Sequence, residues 1–462
     1  MNRRDFLKKL GIGVSASGLA LAGCDSAEKS TISDSKAARE IPDDKMTYRI
    51  NESTGDRVSL LGYGCMRWPM IPNPNGDGEI VDQETVNRLV DYAIAHGVNY
   101  FDTAPPYIRG LSETATGIAL SRHPRDKYFI ATKLSNQSFA REGMRGKELF
   151  DASVKMYRKS FKNLQTDYID YYLLHSIGGG GIEVVNQRFF DCGLIDFLLK
   201  EREAGRIRNL GFSYHGDVKA YDYLLSLHDD IHWDFVQIQL NYVDYRHASG
   251  ANFNAEYLYD ELQKRGIAAV VMEPLLGGRL ATLNDHLNGR LKAIEPENSI
   301  ASWAFRFSGT FPGVLTVLSG MTYMENLQDN IRSYSPLVPL NNEELALLED
   351  TAVQFVSFPT VPCNACDYCM PCPYGINIPA IFNHYNKCIN EGNVPSSRKD
   401  RNYEKARRAF LIGYDRSVPK MRQASHCIGC RQCVPECPQT IDIPAQIHRI
   451  DNYVESLKRQ TI

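Results

Sequence analysis

Between residue 57 and about residue 354 the chain alternates short apolar runs with longer amphipathic stretches. The apolar runs fall at 58–64, 99–103, 128–133, 168–175, 209–213, 235–240, 268–272 and 314–318, each bounded by turn-forming or polar residues. Unbroken apolar runs of this length fit strands covered on both faces. Helical spacing predicts helices over 83–96, 113–121, 146–163, 184–204, 218–227, 255–265, 299–307 and 324–331, with a further one over 342–353. The first opens behind Asp82, a ready N-cap, and stops before Gly97. Eight strand–helix units predict an α/β fold, a (β/α)8 TIM barrel. An open doubly wound sheet would carry a glycine-rich fingerprint after its first strand. Gly62-Tyr63-Gly64 runs instead into Cys65 and Met66. Gly178 to Gly181 reads as flexible cover at the end of the fourth run.

The pattern changes at both ends. Residues 1–24 carry Arg3-Arg4, a short apolar run and Leu21-Ala22-Gly23-Cys24. That order resembles a twin-arginine export signal ending in a lipoprotein cleavage box. It implies an exported, periplasmic or cell-envelope protein whose only membrane contact is a lipid on Cys24. Residues 25–46 are polar and read as a disordered tether. The barrel is assigned 47–356. From 357 to 462 the chain is dominated by cysteine motifs, with an insert over 378–424 that reads as helices.

With 462 residues the chain exceeds one ordinary domain, and a 43% hydrophobic content can bury a large core. A net charge of −3 gives no ground for a nucleic-acid partner. Twelve cysteines in an exported chain would ordinarily suggest disulfides. Here eight of them form two tight groups: Cys363, Cys366, Cys369 and Cys372-Pro373, then Cys427, Cys430, Cys433 and Cys437-Pro438. Three close cysteines followed by Cys-Pro make an iron–sulfur ligand pattern. A zinc ribbon, which uses paired cysteines, is the lesser alternative.

Three polar residues end apolar runs: Asp102, Lys133 and His175. Tyr107 follows on the loop after Asp102, beyond Pro105-Pro106. Strand C-termini of a parallel barrel share one face, so these four side chains are expected to converge there. A phenol, an ammonium, a carboxylate and an imidazole suit proton transfer at a carbonyl oxygen.

Gly62-Tyr63-Gly64, Phe101-Asp102-Thr103-Ala104 with Tyr107, Ala131-Thr132-Lys133, Leu173-Leu174-His175, Gly211-Phe212-Ser213 and Val236-Gln237, in that order, resemble the aldo-keto reductases. The resemblance implies an NAD(P)H-dependent oxidoreductase acting on a small carbonyl or alcohol substrate. In it Tyr107 is the general acid, Lys133 lowers its pKa, Asp102 holds Lys133, and His175 binds the carbonyl oxygen. It assigns Ser213 and Gln237 to the nicotinamide carboxamide, Met272 to the ring face and Asn330 to the adenine. Gly320 and Asn326 stand where relatives place cations for a 2′-phosphate, so no charge-assisted grip is evident. The C-terminal part resembles a mainly α-helical, two-[4Fe-4S] ferredoxin-type domain. That resemblance implies crossed ligand sets: Cys363, Cys366, Cys369 and Cys437 for one cluster, and Cys427, Cys430, Cys433 and Cys372 for the other. It also implies a one-electron redox partner. The competing reading is an electron-transfer or docking protein whose barrel is not catalytic.

Overall fold

The computed structural model describes residues 45–250 and 252–462. The readings for residues 1–24, including Arg3, Arg4 and Cys24, and for the tether up to residue 44 lie outside the described residues.

Eight parallel strands close into a barrel in chain order: β1 (Leu61–Gly64), β2 (Tyr100–Asp102), β3 (Phe129–Leu134), β4 (Ile169–Ile177), β5 (Ile207–Tyr214), β6 (Phe235–Gln239), β7 (Ala268–Met272) and β8 (Val314–Ser319). Their near-continuous burial matches the unbroken apolar runs that define them. The run at 58–64 is divided. Its first half, Arg57–Ser59, pairs antiparallel with Tyr48–Ile50 in a separate hairpin, and only Leu61–Gly64 enters the barrel.

Helices cover the outside. The principal ones are α1 (Gln83–Ala95), α2 (Ser112–Leu120), α3 (Gly146–Leu164), α4 (Leu194–Glu203), α5 (Val218–Ser226), α6 (Ala255–Gln263), α7 (Ile300–Thr310), α8 (Met324–Ser333) and α9 (Asn342–Ser357). Asp82 caps α1, its carboxylate accepting from the Thr85 amide at 3.1 Å. The helix predicted over 184–204 is split. A π-helical turn (Asn186–Phe190) and Gly193, at φ 79°, separate Gly181–Val185 from α4. The glycine run is also not loose cover. Gly178 packs on the backbone of His215, which leaves no room for a Cβ, and its carbonyl accepts from the Asp217 amide at 3.2 Å.

The larger apolar core runs from Met46 to Phe355, and a smaller group that includes Tyr100, Tyr171 and Phe235 fills the barrel interior. A separate core lies between Val361 and Leu457 and is built on α10 (Ile378–Asn390), α11 (Tyr403–Ser417) and α12 (Ile443–Arg459). Asn377 and Asp442 cap α10 and α12, with Pro379 and Pro444 in the first turns. The repeated Ile-Asx-Ile-Pro thus acts as a helix start after each cysteine motif.

Candidate active site and cysteine cavities

The barrel's register brings the four candidate catalytic residues together. Asp102 on β2 is level with Ala131 on β3, and Lys133 lies two residues further along the same face. Lys133 is level with Leu173 on β4, and His175 again lies two residues further. Each side chain therefore sits one step nearer the barrel mouth than the one before it. Tyr107 follows β2 in a tight turn whose next two residues, Ile108 and Arg109, hold φ of 51° and 55°. Two consecutive non-glycine residues in the left-handed region cost about 1–2 kcal/mol each, and such strain collects where a side chain must be aimed.

Lys133 Nζ donates to Asp102 Oδ1 at 2.5 Å and to the Thr103 carbonyl at 2.8 Å. The pair is buried; that burial pushes the Asp102 carboxyl up and the Lys133 ammonium down, and each partner holds the other charged against it. Nζ lies 4.9 Å from the centre of the Tyr107 ring. Burial, with Tyr368, Asp102 and Glu273 nearby, holds the Tyr107 phenol well above its ordinary range. In this closed arrangement burial outweighs the lowering expected from Lys133.

The His175 ring meets the Tyr107 ring edge-on, with centres 6.0 Å apart. Burial first, then the charges of Lys133 and Arg188, drive His175 well below the ordinary histidine range, so it is neutral at pH 7. Ser135 Oγ pairs with His175 Nδ1 at 2.5 Å, which leaves Nε2 for a ligand. Buried Arg188 donates to the His175 carbonyl at 2.6 Å and to the Ser176 carbonyl at 3.1 Å. Ser135 was legible in principle, two residues beyond Lys133 and just past the end of β3. Arg188 lies on the π-helical turn and has no such signal.

Ser213 on β5 and Gln237 on β6 are level neighbours. Gln237 Oε1 is buried with no hydrogen-bond partner, and Ser213 Oγ accepts from the Ser176 amide at 2.9 Å. An orphaned carbonyl oxygen beside a hydroxyl able to donate fits the amide of a nicotinamide. Met272 ends β7 and is partly buried. Asn330 Nδ2 donates to Ser319 Oγ at 2.9 Å, at the end of β8. Gly320 lies against the Arg67 side chain.

The eight motif cysteines divide into two sets. Cys363, Cys366, Cys369 and Cys437 line one cavity; Cys372, Cys427, Cys430 and Cys433 line another. All eight are free thiols. Among the described residues no three His, Cys, Asp or Glu side chains come close enough to hold a single metal ion. The backbone repeats as well: Ala365 and Asp367 flank Cys366 with φ of 48° and 64°, and Gly429 and Arg431 flank Cys430 with φ of 72° and 61°. Both motifs bend the chain around their cavity in the same way.

Such a barrel with such a site defines a class of oxidoreductase. The sequence model of the Aldo/keto reductase family matches residues 61–352, and the chain belongs to that family. It is similar to L-galactose dehydrogenase of Arabidopsis thaliana, 26% identical over 67% of this chain and 94% of that one. It is also similar to Protein tas of Escherichia coli, 31% identical over 37% of this chain and 54% of that one. Among solved structures, aldo-keto reductase AKR11C1 from Bacillus halodurans (holo form) matches with TM-score 0.51 and 23% identity, over 66% of this chain and 96% of that one. An aldo-keto reductase from Klebsiella pneumoniae in complex with NADPH matches with TM-score 0.51 and 22% identity, over 67% and 95%.

Proposed function

We propose that the chain interconverts a small carbonyl compound and its alcohol using NAD(P)H, and that its C-terminal part holds two [4Fe-4S] clusters that exchange single electrons with a redox partner. When bound, the nicotinamide supplies or accepts a hydride, and the clusters supply one-electron capacity. The observation that carries the reductase reading is the convergence of Asp102, Tyr107, Lys133 and His175 at one end of the barrel.

Each residue then has a defined task. Burial keeps the Tyr107 phenol protonated at neutral pH, so it has a proton to give the carbonyl oxygen. Neutral His175, braced through Ser135 and Arg188, offers Nε2 to that oxygen as negative charge builds on it. The Lys133 ammonium, held charged by Asp102 and 4.9 Å from the centre of the Tyr107 ring, favours the phenolate left behind. Ser213 and Gln237 would hold the carboxamide, Met272 would pack on the ring, and Asn330 would meet the adenine. The NADPH in the Klebsiella relative supports a nicotinamide cofactor here. The two four-cysteine cavities support the cluster reading: each gathers three closely spaced cysteines of one motif and the Cys-Pro cysteine of the other, the crossed sets that two cubanes use.

Tyr107→Phe keeps the ring and removes the proton. Carbonyl reduction is expected to fall by a factor on the order of 10²–10⁴, measured by nicotinamide absorbance with a panel of aldehydes. Equal rates in the variant and the wild type would leave the barrel a docking platform.

A further inference from the structure

The barrel mouth is not open. The four catalytic candidates are each between 1% and 8% exposed, although the tetrad residues project toward the strand ends where a substrate must arrive. The first cysteine motif lies at this mouth, where Asn364 meets Gly277 of the loop after β7 and the Arg67 side chain. Tyr368 lies close enough to Tyr107 for the two phenols to influence one another, and Glu273 lies near both. Tyr368 lies between Cys366 and Cys369, so one short loop both lines the first cavity and roofs the site.

The roof is fastened. Arg67, three residues past β1, donates to the Asn364 carbonyl at 2.7 Å. Arg279 donates to Thr360 Oγ1 at 2.8 Å, and Asn252 donates to Gln439 Oε1 at 2.7 Å. Gly277 has φ 68° and lies so close to Asn364 that a Cβ there would overlap its backbone. Asn364 thus ties loop 363–369 to the barrel through Arg67 and Gly277, and Thr360 and Gln439 fasten the chain outside the loop, which keeps Tyr368 near Tyr107.

We propose that Tyr368 is a specificity-determining residue of the reductase site: its ring forms the wall against which the substrate's carbonyl substituents pack, restricting the site to small carbonyl compounds. The inference rests on the reductase reading and adds the residue that bounds the substrate. A substrate oxygen that meets both Tyr107 and His175 must share its surroundings with the Tyr368 ring. Substituents extending from that carbon toward the cysteine loop meet the ring at once. A wall of this kind discriminates by size, on the order of 10–200-fold for a modest difference in bulk.

The test compares propanal with 2-naphthaldehyde, using the full chain purified anaerobically and with iron per chain measured for each variant. In the wild type propanal is the better substrate by kcat/KM. Tyr368→Ala is expected to raise the ratio of 2-naphthaldehyde to propanal by at least about tenfold, whereas Tyr368→Phe keeps the wild-type ratio. Tyr368→Leu, which retains apolar filling against the cysteine loop, serves in its place if the alanine variant loads poorly with iron. A ratio unmoved in the iron-loaded alanine or leucine variant overturns the proposal. Wild-type protein that reduces no aldehyde with either nicotinamide overturns the reductase reading instead. Saturation-transfer NMR with 2-naphthaldehyde needs no turnover and then decides on Tyr368. Saturation that reaches the naphthyl ring in Tyr368→Ala, and no longer does so once Tyr107→Trp is added, upholds the wall. Equal saturation in wild type and Tyr368→Ala removes it.

Discussion

Lys133 and Asp102 are stable as ions only because each has the other. The lysine side chain is 1% exposed, and Asp102 Oδ2 has no partner at all. Lys133→Met should therefore strand a buried carboxylate and destabilise the barrel by about 3–5 kcal/mol. Adding Asp102→Leu should recover most of that loss. All three tryptophans, Trp68, Trp233 and Trp303, lie in the barrel core, so urea unfolding followed by tryptophan fluorescence reads this domain. The histidines give a pH dependence with a definite sign. Burial holds His215 down at about 4 and His175 well below its usual value, against about 6.5 in an unfolded chain. Below pH 6.5 the unfolded state takes up protons that the folded state refuses. Each histidine therefore removes up to about 1.4 kcal/mol of stability per pH unit as the pH falls, for His215 until about pH 4. His215→Gln should make the unfolding midpoint fall less steeply than in wild type between pH 6.5 and 4.

At the scale of elements, the barrel's stagger turns three strand ends into one site, and the loops decide what covers it. Gly277, in the loop after β7, is a point of close approach by the cysteine loop. Gly277→Val should push Asn364 away at a cost of a few kcal/mol, from positive φ and overlap together. Limited proteolysis should then cut faster between α9 and residue 363, with the barrel's tryptophan unfolding little changed. The strands and the tetrad were legible in the chain because buried parallel strands are nearly all apolar, so an acid, a lysine or a histidine at the end of one stands out. Local propensity was less informative where tertiary contact overrode it. The 58–64 run divides because its first half closes the opposite end of the barrel, and Gly178 is fixed by the approach of His215 rather than left free. Arg188 and Tyr368 carried no signal, because the residues each one meets lie on other elements of the fold.

For the whole molecule, a barrel and a cysteine-rich part meet at one seam, and the proposed chemistry of both bears on where the protein works. We propose that the chain is exported already folded, through the Arg3-Arg4 signal, and anchored by a lipid on Cys24, because clusters loaded in the cytoplasm must cross inside a finished fold. Arg3→Lys with Arg4→Lys should keep the protein in the cytoplasm with clusters intact. Cys24→Ala should release it from membranes without stopping export. Cell fractionation with iron and acid-labile sulfide assays checks both, and about eight iron atoms per chain are expected for two four-iron clusters. Zinc in their place would remove the electron-transfer half of the reading.

The shared loop at 363–369 also sets an order of completion. A ribosome delivers the barrel strands first, and domains fold as they emerge. Asp102, Lys133 and His175 are thus in place while the mouth still lacks its roof. Cys437, which lines the same cavity as Cys363, Cys366 and Cys369, is delivered last of the four. The reductase site is therefore finished only when the cavity beside it is closed. A half-made chain has a barrel with an unselective mouth, and the step that completes the cysteine cavity is also the step that fixes which molecules the barrel admits.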